Sequence, residues 1–385
     1  MSHDRRSILA PIVAASLITL SACQGSMQNV GQVPSAPMHG ANSGSGQPSK
    51  GVKRPNTTGY TLTDLGALPG DSGSTVSRGL NGVSPFGGNP LNNAGQVAGT
   101  SISCPTSCSY TATLFSNGTV TNINTLNSSS SFATAVNASG QVVGLEERNV
   151  SCHCNDAFLY NNGSMQDINN NSLFPGGSAA IGINKSGQIV GTGATNSSTV
   201  HAFLFSNGTM TDINPFPGSS SDAVSINDSG QIIGSSGNTN LTGTWLLSNG
   251  TVMILSQTTT SFFINNNGQI VGQNSSEHGA LYSNGTWKDL GTGPPGATGG
   301  AAFGINDSGQ IVGFAGFPGS YHPFRPAVQH AIIFTGGGAK DLNNLIPPNS
   351  GYTLNFAVAI NDTGQIAIDA TNSSKQKRAG LLTPK

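Results

Sequence analysis

The stretch Ser225-Ile-Asn-Asp-Ser-Gly-Gln-Ile-Ile-Gly234 sets Asn227, Asp228 and Gly230 at the spacing of oxygen ligands and a turn glycine in half a calcium loop. It recurs as LNNAGQVAG from Leu91, AVNASGQVVG from Ala135, GINKSGQIVG from Gly182, INNNGQIVG from Ile264, GINDSGQIVG from Gly304 and AINDTGQIAI from Ala359. The residue after the asparagine is Asn93, Ala138, Lys185, Asp228, Asn266, Asp307 or Asp362, and neither alanine nor lysine supplies the oxygen that aspartate would. No copy gathers the several carboxylates a hard cation needs, so the stretch reads as a turn and no metal is expected. Asn227 caps the backbone, Gly230 takes the left-handed conformation, and Gln231 opens the next strand with an amide able to bond backbone across strands or blades.

The recurring glutamines are Gln96, Gln141, Gln188, Gln231, Gln269, Gln310 and Gln365, at intervals of 45, 47, 43, 38, 41 and 55 residues. Periods in this range belong to propellers and solenoids. Between copies lies a second module, HAFLFSNGTMTDIN from His201, TATLFSNGTVTNIN from Thr111, DAFLYNNGSMQDIN from Asp156 and HGALYSNGTWKDLG from His278. Asn-Gly between apolar runs is a hairpin signal, because both central residues of a type I′ turn need positive φ. Each repeat is thus two hairpins of four strands, A to D, exemplified by AVSIN, QIIGS, HAFLF and TMTDIN and assigned to the third copy. Four strands per unit make a propeller blade. The fold expected is a seven-bladed, all-β propeller of antiparallel blades. The seventh copy ends on strand C, RAGLLT from Arg378, and YTLTDL from Tyr60 supplies the missing strand D, closing the ring.

Upstream of the repeats, MSHDRRSILAPIVAASLITLSAC pairs Arg5 and Arg6 with an apolar run ending in a small-residue motif before Cys23. Residues 1–22 read as a lipoprotein signal peptide and Cys23 as the acylated residue. Residues 23–57, rich in Gly, Ser, Pro, Asn and Gln, read as a disordered tether, and 58–385 as the propeller. The expectation is an exported monomer anchored in the cell envelope, at the outer membrane or cell surface, touching membrane through its lipid alone. Only 8% of residues are charged and the net charge is −1, which argues against nucleic acid.

His201-Ala202-Phe203, the Asn207-Gly208 turn, Asp212, the Asn227-to-Gln231 motif and TDLGALPG from Thr63 resemble the HAF-repeat family of bacterial extracellular proteins. The resemblance covers residues 59–383 and implies an exported repeat protein without an assigned activity. The full tripeptide stands once; Asp156, Thr111, Gly243 and Arg378 replace the histidine elsewhere, so this position is not a shared active-site residue.

In such blades the A–B and C–D turns share one end of the ring, and the varied B–C and D–A loops share the other. The most distinctive loop, residues 314–329, offers Phe317, Tyr321, His322, Phe324 and Arg325 as ligand-binding candidates, with rings to stack on a sugar and a guanidinium to hold a carboxylate. Packing of this loop over its blade is the competing reading. Cys104, Cys108, Cys152 and Cys154 fall in the B–C loops of blades one and two and are expected as disulfides, within or across loops, with zinc and free thiols as alternatives. His201, His278 and His330 start strand C in three blades, where symmetry spreads them, and Asp64, Asp167, Asp212, Asp289 and Asp341 are expected to satisfy backbone. No cofactor is implied. The functional expectation is a non-catalytic binding or adhesion module for a glycan or envelope protein. An enzyme with its site at the channel mouth, or an envelope scaffold with protein partners, are the alternatives.

Overall fold

Seven four-stranded antiparallel sheets make up the computed structural model, which describes residues 59–76, 87–104, 108–149, 154–195, 199–237, 243–256, 259–318, 326–336 and 338–385. Blade three shows the plan, with strand A Ser178–Ile183, B Ile189–Ala194, C Val200–Ser206 and D Thr209–Asp212. AVSIN and QIIGS, assigned above to the third copy, belong to blade four, whose outer strands are Gly243–Ser248 and Thr251–Ser256. The repeat boundary falls after strand D, not before strand C. In blade seven, Tyr60–Asp64 pairs antiparallel with Lys377–Pro384 as the fourth strand, in register from Tyr60 with Pro384 to Asp64 with Gly380. The N-terminal strand therefore closes the ring.

The repeated residue types follow from packing within and between blades. Phe203 in strand C lies opposite Gly191 in strand B, and a Cβ at Gly191 would sit 2.9 Å from the Phe203 ring. Glycine is needed there because that Cβ would also meet the Ala179 carbonyl of strand A, as at the equivalent Gly272 and Gly313, where backbone oxygens of Thr260 and Ala301 stand in the way. Ala202, fully buried, donates its N–H to Ser221 Oγ of the next blade at 3.1 Å. Ala112, Ala157 and Ala379 do the same to Ser131, Ser178 and Ser74 at 3.0, 3.1 and 3.1 Å. These bonds satisfy strand C groups that a blade edge would otherwise bury unpaired.

The opening motif proves to be a joint between blades. Asn227 is buried, and its Oδ1 accepts from the Ser229 and Gln231 N–H groups while its Nδ2 donates to Gln231 Oε1 at 2.8 Å. The second Nδ2 hydrogen reaches the Asn265 carbonyl of blade five at 3.0 Å. All four hydrogen-bonding positions of the amide are filled. The equivalent bond runs from Asn92 to Asn137, Asn137 to Asn184, Asn184 to Asn227, Asn265 to Asn306, Asn306 to Asn361 and Asn361 back to Asn92, at 2.9 to 3.2 Å. The seven asparagines form a closed cycle. Gly230, at φ 77°, completes the turn as expected. Gln231 differs from expectation: its amide bonds side chains, receiving from Asn227 and donating to Ser248 Oγ at 3.3 Å, because the strand begins one residue later at Ile232.

The variable residue after each asparagine makes a second, outer series. Lys185 N–H donates to Asp228, Asp228 to Asn266, Asn266 to Asp307, Asp307 to Asp362 and Asp362 to Asn93, at 2.9 to 3.0 Å. The series is interrupted where Ala138 and Lys185 offer no acceptor. These carboxylates therefore act as acceptors for the neighbouring blade.

In blade one, the segment Gly87 to Pro90, which precedes strand B, bonds to strands of other blades. Gly88 N–H donates to Val224 C=O at 2.7 Å, Val136 N–H to Asn89 C=O at 2.9 Å, and Ala98 N–H to Pro90 C=O at 2.8 Å. Gly87 to Pro90 thus lie against the inner strands of blades four and two before rejoining blade one. A Cβ on Gly87 would sit 2.6 Å from the Val224 oxygen, which explains the glycine. Strand A is bulged nearby in blades two to seven, at Thr134, Ile181, Val224, Phe262, Phe303 and Val358. Phe262 and Phe303 meet edge to face with centroids 5.4 Å apart.

Candidate functional site

At the loop end, strand C starts beside the end of strand D, and residues eleven apart in sequence meet. His201 Nδ1 donates to Asp212 Oδ2 at 2.7 Å, His278 to Asp289 at 2.8 Å and His330 to Asp341 at 2.6 Å. An ionised carboxylate only accepts, so each pair fixes the proton on Nδ1. The other carboxylate oxygen takes the N–H two residues on: Asn214, Gly291 and Asn343 for these three aspartates, Gly66 for Asp64 and Asn169 for Asp167. That capping role is the one expected from sequence. The histidine partnership is additional, and its signal was the constant spacing of 201 to 212, 278 to 289 and 330 to 341.

Blade seven replaces histidine by Arg378, whose Nε lies 3.6 Å from Asp64 Oδ2, and Tyr352 donates its hydroxyl to that oxygen at 2.6 Å. The hydrogen bond to Asp64, then burial, then the Asp64 charge hold the Tyr352 hydroxyl above its usual pKa, with Arg378 opposing. Partial burial would raise the Asp289 carboxyl, but the bonds from His278 and Gly291, the His278 charge and Asn274 outweigh it and leave it below the carboxylate range. In blade two, Glu146 and Asp156 are buried and lie with the exposed Asp167 so that their oxygens fall within 4.8 Å of one another. Acidic groups in this arrangement are common without an ion, and no second feature of the described residues points to one there.

Catalysis by a His–Asp pair needs a nucleophile at Nε2. Among the described residues one hydroxyl meets that condition, Thr199 Oγ1 at 3.2 Å from His201 Nε2. It also bonds Thr195 Oγ1 at 2.8 Å. Blade three thus carries a hydroxyl, imidazole and carboxylate in line. The three His–Asp pairs themselves stand in separate blades and do not converge.

Within the 314–329 segment the described residues are strand, not loop. Strand B of blade six runs Ile311–Pro318 and strand C Pro326–Thr335, because the apolar character of the sheet continues past Gly313. Phe314 stacks on Phe303 at 5.3 Å and meets Phe356 edge on at 5.3 Å. Phe317 is half-buried, tilted against the His330 ring at 5.0 Å. Its position supports the packing reading for this residue. Tyr321, His322, Phe324 and Arg325 lie outside the described residues, as do Cys23 and Cys152, and the Cys154 side chain is likewise not described. Cys104 and Cys108 form a disulfide within the blade-one loop.

The sequence matches no protein-family model and no curated protein. Solved structures similar in shape include the β-propeller domain of the Trilobed protease from Pyrococcus furiosus, at TM-score 0.48 and 10% identity, covering 75% of this chain and 93% of that one. The Pyrococcus horikoshii acylaminoacyl peptidase gives TM-score 0.48 and 10% identity over 76% of this chain and 50% of its own. Trypanosoma rangeli sialidase gives 0.40 and 11% over 84% and 58%. Likeness at this level says nothing of ligand or activity, and the fold rests on the chain's own seven sheets.

Proposed function

We propose that the protein is a non-catalytic binding or adhesion module held in the cell envelope, with its ligand, a glycan or an envelope protein, met by the variable-loop end. The observation that carries this reading is where the chain enters the ring. Tyr60 pairs with Pro384, and Gly59 C=O accepts from Lys385 N–H at 3.2 Å, beside the C–D turns. A tether joined there, acylated at Cys23, attaches at the turn end and leaves the varied loops unobstructed by it. Loops on a rigid scaffold are where binding evolves, and at the other end the buried asparagine of each turn is committed to joining blades. The resemblance to HAF-repeat proteins fits an exported protein of this kind. A glycan-array screen of the full chain with Tyr321→Ala and Phe324→Ala tests it. Saturable binding lost in the variants is expected; binding indifferent to both would remove the loop from the account.

The enzyme reading is favoured by one feature, the line of Thr199, His201 and Asp212. Its test is hydrolysis of p-nitrophenyl acetate by the full chain beside Thr199→Val. Turnover abolished by that substitution would replace the non-catalytic reading, and equal rates dismiss it.

A further inference from the structure

We infer that the cleft between blades five and six at the turn end binds a neutral polyhydroxylated ligand, a sugar in its ring form. The cleft has a volume of about 380 Å³ and is lined chiefly by Asn267, Gln269, Ser283, Asn284, Asp307 and Ser308. That volume falls within the range of small-molecule sites. It lies at the opposite end from the loops of the proposed function and does not depend on them.

The case rests on which groups are left over after the blades are joined. In blades one, four and seven the turn glutamine donates its amide to a hydroxyl at the end of strand C: Gln96 to Ser116, Gln231 to Ser248 and Gln365 to Thr383, at 3.4, 3.3 and 3.5 Å. In blade five Gln269 Oε1 accepts from Asn265 at 2.9 Å and its Nε2 makes no hydrogen bond with described residues, as is also true of Gln141, Gln188 and Gln310 in blades two, three and six; the Ser283 hydroxyl beside it is likewise left over. The Asn284 amide, held in the turn at φ 52°, is equally uncommitted. Asp307 accepts one bond on each oxygen, from Asn266 N–H at 2.9 Å and Asn266 Nδ2 at 3.0 Å, leaving lone pairs on both.

A sugar hydroxyl must both donate and accept to replace its bonds to water. One ionised acceptor beside amide and hydroxyl donors supplies both halves to adjacent hydroxyls. Asp307 repels an anion, and a single carboxylate among amide N–H donors is a poor cage for a cation.

The molecule contains its own comparison. Between blades three and four the same side chains recur as Gln188, Ser206, Asn207, Asp228 and Ser229, but there Lys185 Nζ stands 3.6 Å from Asp228 Oδ2 and competes for the acceptor. Between blades one and two Ala138 removes the carboxylate altogether. The cleft at Asp307 has the acceptor without the competing cation.

The test is titration of the full chain with methyl glycosides of glucose, galactose, mannose and N-acetylglucosamine, followed by saturation-transfer NMR. One glycoside should bind saturably, and Ser283→Ala and Asn284→Gly should each weaken it about tenfold. Glycine keeps the positive φ at position 284, so the turn survives, and circular dichroism confirms it. Asn117→Gly, the same change beside the cleft that lacks a carboxylate, should leave binding unaltered. No binding by any of the four, or binding that survives both cleft substitutions, overturns the proposal. If binding survives them yet disappears in Tyr321→Ala, the cleft is wrong and the loop-end reading stands; the reverse pattern keeps the cleft and removes the loop.

Discussion

The asparagine turns and the His–Asp pairs occupy opposite ends of the same blades and respond differently to sequence change. At the turn end all seven positions are asparagine; at the loop end the strand C position is Thr111, Asp156, His201, Gly243, His278, His330 or Arg378. The hydrogen bonds explain the contrast. Asn227 donates into blade five and its own carbonyl receives from Asn184 of blade three, so a substitution there disturbs a neighbour as well as its own turn. The bond between His278 and Asp289 stays within blade five, so each blade can change its pair alone. Cyclic dependence preserves residues, and local pairing releases them. The loop end is therefore where a new ligand can be accommodated without loosening the ring.

Several substitutions probe that contrast. Deleting residues 59–66 removes the fully buried Tyr60 and the fourth strand of blade seven, and should abolish cooperative thermal unfolding; truncating Tyr60 to alanine should alone cost on the order of 4 kcal/mol. A deleted chain that melts unchanged would mean the ring does not need its first strand. Asn227→Ala removes two donated and two accepted bonds at a buried site and should cost about 3 kcal/mol in denaturant unfolding. A cost no larger than that of a loop-end substitution would erase the distinction between the ends.

A smaller effect is expected inside blade four. Asp222 is buried and burial raises its pKa, opposed by bonds from the Ser235 hydroxyl and N–H. A raised folded-state pKa gives stability that is fully present below the ordinary carboxylate value and lost as pH rises through the raised one. Asp222→Asn keeps the Oδ1 acceptor for Ser235 and should flatten that decline, leaving the variant more stable near neutrality. Loss of stability at neutral pH would show that the charge is needed.

The least change is expected at His278→Ala, about 0.5 kcal/mol or less, because both partners are substantially exposed. Asp289 is held low, so its contribution is present above the ordinary carboxylate pKa and lost as pH falls through the lowered value. Removing His278 should shrink this acid-side loss, measured as stability between neutral and acid pH. An undiminished acid response would assign it to Gly291 and Asn274 instead.

Much of this architecture was legible in the sequence. The seven Asn-to-Gln motifs, the Asn-Gly hairpins and the unpaired strand at Tyr60 specify the ring, since the first two are local signals that recur along the chain and the third supplies the strand the last repeat lacks. The destination of the second Asn227 hydrogen was not legible, because it lies 38 residues away and exists only once the ring has closed. The His–Asp pairs left a trace in their spacing, but spacing alone does not say that two side chains face each other across a hairpin. Phe314 and Phe317 were misplaced in a loop because the prolines that suggest one, Pro318 and Pro326, form the last rung of the strand pair. The contact of Gly87 and Gly88 with blade four was not legible either, because it depends on packing against Val224 that no local pattern signals.

Hydrogen exchange of the full chain carrying Asn361→Ala tests the asparagine cycle most directly. Asn361 donates to the Asn92 carbonyl, which also receives the Gly95 N–H, whereas the bond from Asn306 reaches the Asn361 carbonyl and survives the substitution. Faster exchange is predicted in the 361–365 turn and across the ring closure in the 92–96 turn, with the 306–310 turn unchanged. Acceleration confined to residues 361–365 would contradict a cycle that joins the blades.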